Sequence, residues 1–260
     1  MNTPKISIIT VCKNAAGKLP STIESVFHQT YKNIEYLIVD GGSSDNTKEV
    51  VSVNRANIAI FISEPDTGIF NAMNKGIKAA TGDIIIFLNA GDFYVSKNVI
   101  QWTVEKMLLN SADLFFAKII WEYPPTKDIC VGSNESIRYA WDLKLSNFPH
   151  PATFYKKAVF ERVGLFDDSY RVVGYYEWNL RALIKHKVPF QYLNIITTFF
   201  TAEGISVDPR VKQLRESEEL RAREIFFAKH FFMRKNIKFK LDVERKVIGR
   251  LLNLKLNRIY

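Results

Sequence analysis

Cysteine is scarce in this sequence. Its 260 residues include two, Cys12 and Cys130, far apart and without ligand-like spacing. That excludes a small disulfide scaffold and suits buried thiols in a reducing compartment. Long apolar runs are missing as well. The richest, Ile84 to Leu88 and Ile195 to Phe200, fall far short of the roughly 18 residues a membrane-crossing helix needs. Met1 to Lys5 lead straight into Ile6-Ser7-Ile8-Ile9, with no basic region, apolar stretch and cleavage site in succession, so a cytoplasmic location is expected. Neither Gly-x-Gly-x-x-Gly nor a Walker loop follows the first apolar run, where Lys13-Asn14-Ala15-Ala16-Gly17 stands instead. A dinucleotide-dependent dehydrogenase and a P-loop nucleotidase are both poor fits.

What is present suits one compact domain with an ample core, since 47% of the residues are apolar. The formal charge of +9 is unevenly distributed: residues 205–260 hold 15 Lys plus Arg against 7 Asp plus Glu, leaving the preceding chain at about +1. A nearly neutral body thus carries a basic tail. We expect a domain over 1–206 and a basic helical extension over 207–260, with helices from Pro209 to Phe232 and from Leu241 to Leu256. Lys and Arg beside an anionic bilayer contribute on the order of 1 kcal/mol each, so the tail is a candidate for peripheral membrane attachment, helped by Phe231, Phe232, Phe239 and the Val247 to Leu252 stripe. The alternative is a set of solvated helix faces. Nucleic-acid binding would rest on charge alone, without a recognition motif, and is not expected.

The first hundred residues alternate β-branched runs with amphipathic segments. Strands are expected at Lys5 to Cys12, Ile34 to Asp40, Ile58 to Ser63 and Asp83 to Asn89. Leu19, Ile23, Val26 and Phe27 recur at helical spacing, as do Ile69, Ala72, Met73, Gly76, Ile77 and Ala80. Such an alternation implies an α/β fold with a mostly parallel central sheet and helices on both faces. Ligands of such sheets sit beyond the carboxyl ends of the strands. Three of those ends carry acids: Asp40-Gly41-Gly42-Ser43, Glu64-Pro65-Asp66 and Asn89-Ala90-Gly91-Asp92. Asp40 either accepts hydrogen bonds from a ribose or base, or caps its own turn. Asp92 follows the most apolar strand, so it sits in the middle of the crevice, where one carboxylate plus a diphosphate can hold Mg²⁺ or Mn²⁺. Beyond residue 93 a helix is expected at Lys97 to Leu109, strands at Leu114 to Trp121 and Pro189 to Thr197, and a helix at Tyr175 to His186.

These residues also carry a resemblance. Ser7-Ile8-Ile9-Thr10-Val11-Cys12-Lys13-Asn14, Val39-Asp40-Gly41-Gly42-Ser43-Ser44-Asp45, Glu64-Pro65-Asp66-Thr67-Gly68, Asn71-Ala72-Met73-Asn74-Lys75-Gly76 and Leu88-Asn89-Ala90-Gly91-Asp92 resemble, in order and spacing, family 2 glycosyltransferases of the GT-A fold. Weaker agreement continues through His150-Pro151-Ala152-Thr153-Phe154, Tyr176-Glu177-Trp178 and Gly204-Ile205-Ser206. The resemblance implies inverting transfer of a sugar from a nucleoside diphosphate, with a UDP-sugar the expected donor, to a glycan or lipid-linked acceptor in bacterial surface-polysaccharide or lipid-linked glycan assembly. It implies that Val11, Lys13 and Asp40 line the nucleoside pocket, that Asp66 and Asn74 lie near the donor, and that Asp92 reaches the metal.

Two departures stand out. Many relatives read Asp-Ala-Asp-Asp where this chain has Asn89-Ala90-Gly91-Asp92, leaving one carboxylate for the metal and Asn89 for a sugar or ribose hydroxyl. Many carry an Asp at the position of Tyr175, whereas the nearest acid here is Glu177, which becomes the candidate base, with a helix-start role as its alternative. His150 is either an acceptor-binding residue or a buried, satisfied histidine. A sugar-nucleotide-binding protein without catalysis is the competing function, because both departures fall where chemistry is done.

Overall fold

The computed structural model describes residues 3–123, 128–132, 136–144, 146–201, 204 and 208–227. Among the described residues nine strands form one sheet in the order β3-β2-β1-β4-β8-β6-β9-β5, with β7 pairing β6 off this path. They are β1 (Ile6–Cys12), β2 (Ile34–Asp40), β3 (Ile60–Ser63), β4 (Ile84–Phe87), β5 (Phe93–Tyr94), β6 (Leu114–Tyr123), β7 (Asp128–Gly132), β8 (Thr153–Lys156) and β9 (Phe190–Phe200). Strands β1 to β4 pair in parallel through helices α1 (Leu19–Phe27), α2 (Thr47–Val53) and α3 (Ile69–Ala79). The second half mixes directions: β8 runs antiparallel between β4 and β6, while β9 returns parallel to β6.

Each face of the sheet has its own core, as the period-2 alternation of strands demands. On one face Ile6, Ile8, Ile38, Ile84 and Ile86 pack with Leu19 and Ile23 of α1 and with Val99, Val104 and Met107 of α4 (Val99–Leu108). On the other, α3 lies so close that a Cβ on Gly76 would stand 2.5 Å from Ile9 Cγ2. The same face carries an aromatic cluster in which Phe87 meets Tyr155, Phe160 and Phe166, and Trp178 packs 4.9 Å from Phe160. Phe160 belongs to α5 (Lys157–Val163) and Trp178 to α6 (Gly174–Leu180).

The helix expected from Tyr175 to His186 is α6 continued by a π-helical turn, Arg181–Lys185, which ends where Lys187 takes φ 52. The chain divides into two units, Met1–Glu219 and Leu220–Tyr260, and residues 212–227 are helical. The expected helix from Leu241 to Leu256, and Phe231, Phe232 and Phe239, lie outside the described residues. No helix among the described residues is long and apolar enough to cross a membrane.

Candidate active site

Register decides where the acids meet. Cys12 pairs with Asp40 and Ile9 with Phe87, so β2, β1 and β4 end side by side on one edge of the sheet. The turns after β1 and β2 are laced together there. Ser43 Oγ accepts the Asn14 N–H at 2.7 Å, Asn14 Oδ1 accepts the Ser44 N–H at 2.9 Å, and Thr47 Oγ1 accepts the Ala15 N–H at 2.8 Å. Asp45 completes the seam by accepting the Ala16 N–H at 3.1 Å.

Asp40 is fully buried at the end of β2. Both its oxygens accept the Ser43 N–H at 3.1 Å, the Ser43 hydroxyl also donates to it, and Ser63 Oγ donates from the end of β3 at 2.7 Å. The turn-capping reading is therefore realised in the structure: these bonds hold the acid rigidly beside the Gly41-Gly42 backbone. Asp66 leans onto that backbone from the neighbouring loop. A Cβ on residue 41 would lie 2.1 Å from Asp66 Oδ2, so the approach requires glycine, while Oδ1 accepts the Gly68 N–H at 3.1 Å. Gly68, at φ 147, opens α3 in a conformation that side chains rarely adopt. Cys12 lies among these acids. Burial first, then the charges of Asp40, Asp45 and Asp66, push its thiol up to about 12, leaving it protonated and unreactive at neutral pH. Val11 is buried opposite Val39, and Lys13 is exposed at the rim.

Past β4 the chain turns through Asn89 to Asp92. The Asp92 N–H donates to the Asn89 carbonyl at 3.0 Å, Gly91 takes φ 103, and its N–H donates to Thr22 Oγ1 at 2.9 Å. Asp92 is 3% exposed, and its Oδ1 accepts the Thr201 N–H at 3.1 Å. Burial pushes its carboxyl up to about 7 against the opposing pull of Thr201 and the Lys18 cation. Asn89 Oδ1 is buried without a hydrogen-bond partner. Among the described residues no cluster of three His, Cys, Asp or Glu could hold a metal by itself. The turn nonetheless fits a hard divalent cation that completes its shell from a diphosphate and water: it offers a buried carboxylate destabilised by burial and an amide oxygen with no other partner.

The second wall comes from β8 and α6. His150 stacks on Phe87 with centroids 5.7 Å apart and meets the Tyr175 ring at 4.6 Å. Tyr175 donates its hydroxyl proton to Thr153 Oγ1 at 2.7 Å. Both His150 nitrogens are buried and neither has a partner, so this histidine is buried yet not satisfied. Burial pushes its pKa down to about 4, making it a neutral imidazole at pH 7. Glu177 is held at both oxygens by Arg181, at 2.9 and 3.0 Å, and Arg181 also donates to the carbonyls of Val163 and Leu165. That is the geometry of a helix-start ion pair. Asn74 is equally engaged, donating to the Phe166 carbonyl at 2.9 Å and accepting its N–H at 3.0 Å. Its amide pins that loop instead of facing solvent. Sequence reasoning had no signal for Ser63, Thr201 or Lys18, whose roles arise only from proximity in the fold.

With this geometry in place, comparison with known proteins is decisive: residues 7–164, more than half of the chain, match the family described as Glycosyl transferase family 2. The chain belongs to glycosyl transferase family 2. The transferase is 27% identical over 217 residues to a PGL/p-HBAD biosynthesis glycosyltransferase of Mycobacterium bovis, covering 78% of this chain and 79% of that protein. An uncharacterized glycosyltransferase of Mycobacterium tuberculosis is 29% identical over 191 residues, 70% of each chain. Among solved structures, Staphylococcus aureus TarS superposes with a TM-score of 0.65 at 15% identity, covering 87% of this chain and 43% of TarS. The mannosyltransferase PcManGT of Pyrobaculum calidifontis superposes with a TM-score of 0.62 at 14% identity, covering 84% of this chain and 62% of that one. The transferase therefore has the GT-A fold, and the expected α/β class holds.

Proposed function

We propose that this transferase moves a sugar from a nucleoside diphosphate, UDP first among the candidates, to a hydroxyl of a glycan or lipid-linked acceptor, with inversion at the anomeric carbon. The observation that carries the reading is a buried carboxylate destabilised by burial, Asp92, beside an amide oxygen without a hydrogen-bond partner, Asn89 Oδ1, past the end of β4 on the same edge as Asp40 and Asp66. Support comes from neighbours of the same fold: TarS has been solved with UDP and with UDP-GlcNAc, and PcManGT with GDP-Man and Mn²⁺. The mycobacterial relative's name places that protein in PGL/p-HBAD biosynthesis, which supports a glycolipid acceptor.

In this reading Val11, Lys13, Asp40 and Asp66 line the nucleoside pocket, and Asn74 supports it by fixing the loop at Phe166. Asn89 takes a ribose or sugar hydroxyl or joins the cation shell, and Asp92 supplies the protein's carboxylate to Mg²⁺ or Mn²⁺. Such a cation, when bound, supplies a Lewis acid for the departing diphosphate. The acceptor oxygen attacks from the face opposite that diphosphate, through an oxocarbenium-like transition state. Proton removal is assigned to Glu177, which requires Arg181 to release one carboxylate oxygen as the acceptor binds. The basic residues after 206 are assigned to an anionic surface that carries the acceptor, on the cytoplasmic face of a membrane.

The test is a panel of nucleoside diphosphates and their sugars, scored by thermal stabilisation with and without Mn²⁺, followed by transfer assays with the best donor. Cation-dependent stabilisation by one nucleotide class is expected. Stabilisation by none, or equal stabilisation with and without the cation, would remove the donor assignment.

A further inference from the structure

Glu218 lies beyond the family match, yet it is buried, at 6% exposure, and bound within the first unit. Its carboxylate accepts three consecutive backbone N–H groups: Arg171 at 2.7 Å on Oε1, and Val172 and Val173 at 2.9 and 3.0 Å on Oε2. Burying a carboxylate is costly unless it is hydrogen-bonded, and three convergent N–H donors form the kind of anion nest that offsets the cost. The segment so fixed is the one that leads directly into α6 at Gly174. It also carries Arg171, which is exposed and, among the described residues, has no carboxylate partner. The Arg171 guanidinium reaches across to the donor side. Its Nη1 stands 3.0 Å from where a Cβ on Gly68 would lie, beside the N–H that holds Asp66.

We infer that Glu218 is a positioning residue for donor binding: it fixes residues 171–173 so that the Arg171 guanidinium is held at the Asp66–Gly68 loop, where it meets the donor phosphates. The inference rests on the nucleotide-sugar reading above. It explains why an acid more than forty residues after Arg171 binds that segment's backbone while the guanidinium is left without a carboxylate of its own. A planar guanidinium matches phosphate oxygens in geometry and charge.

The experiment measures binding of UDP and of uridine, by calorimetry with Mn²⁺ present, to the full chain and to Glu218→Gln, Arg171→Met and the double variant. GDP and guanosine replace them if the stabilisation panel selects guanine. Each single variant is expected to weaken UDP by about tenfold or more, because Arg171→Met removes the charge-assisted contact to phosphate and Glu218→Gln loosens the segment that places it, and to leave uridine within about twofold. The double variant should be no weaker than the worse single, since both remove one interaction. Glu218→Asp should recover part of the loss. Unchanged UDP affinity in Glu218→Gln, a parallel loss of uridine, or multiplying losses in the double variant would overturn the inference. Should Glu218→Gln fail to fold, Arg171→Met decides with the same two ligands, because its side chain is exposed. A wild-type chain that binds neither nucleoside nor nucleotide would instead overturn the donor reading on which the inference stands.

Discussion

Asp92→Asn is expected to stabilise the ligand-free protein while destroying its affinity for the cation. Burial lifts this carboxyl from its ordinary 3.8 to about 7, despite the Thr201 N–H and the Lys18 cation. The folded protein therefore holds a proton that the unfolded chain has already released. Between pH about 4 and 7 the folded state binds more protons, so stability falls as pH rises through that window and stays low above it. The difference between 3.8 and about 7 corresponds to about 4 kcal/mol. Asparagine keeps an acceptor for the Thr201 N–H and never ionises. The variant should match the wild type near pH 4 and exceed it by up to about 4 kcal/mol at pH 8, or about 8 °C in Tm for a chain of this size. Denaturant titrations of both proteins at pH 5 and pH 8, in the presence of a chelator, measure the difference. Adding Mn²⁺ at pH 8 should then raise the wild-type midpoint alone, because the cation takes the ionised carboxylate. The same difference at both pH values, or an equal response to Mn²⁺, would refute a carboxylate destabilised by burial at this turn.

Three further outcomes follow from particular contacts. Glu177→Gln should slow transfer at saturating donor by at least about a hundredfold if Glu177 takes the acceptor proton; a rate near wild type with a lowered Tm would leave the Arg181 pair as purely structural. At Glu35, burial works to raise the carboxyl, but hydrogen bonds from Lys5, Ser7 and Thr81 outweigh it and hold the group at about 2. Its stabilising contribution is complete above pH about 4.5 and is lost as pH falls toward 2, so Glu35→Gln should flatten the acid limb of a stability–pH curve, and an unchanged limb would count against this network. Residues 228–260 carry a net charge of +8, and if half of it faces lipid the attraction is about 4 kcal/mol. Ending the chain at residue 227 keeps Glu218 and should weaken binding to anionic vesicles by two to three orders of magnitude on that estimate, measured by co-sedimentation; equal binding would remove the membrane assignment.

The parallel half of the fold was legible because its signals are local. Short β-branched runs mark β1 and β2 to within a residue, and the spacing of Ile69, Met73, Gly76 and Ile77 marks the buried face of α3. The second half was harder to read because β8 inserts antiparallel between β4 and β6, a pairing across some seventy residues that no local pattern encodes. Much the same holds for individual side chains. Asn74 lies on the expected helix, yet its amide is taken up by Phe166; His150 lies at the expected wall, yet Phe87 and Tyr175 bury it without a hydrogen-bond partner.

By itself the sequence determined the order of the parallel strands and which acid-bearing turns follow them, since apolar runs and glycine-rich turns act over a few residues. Only the tertiary structure decided what each acid is bound to. Asp40 is satisfied by Ser43 and Ser63, Glu177 by Arg181, and Glu218 by the backbone of residues 171–173. Asp92 meets Thr201 from 109 residues away, and burial still pushes its carboxyl up. Hydrogen bonding and desolvation depend on distance through space, and only the folded chain sets that distance.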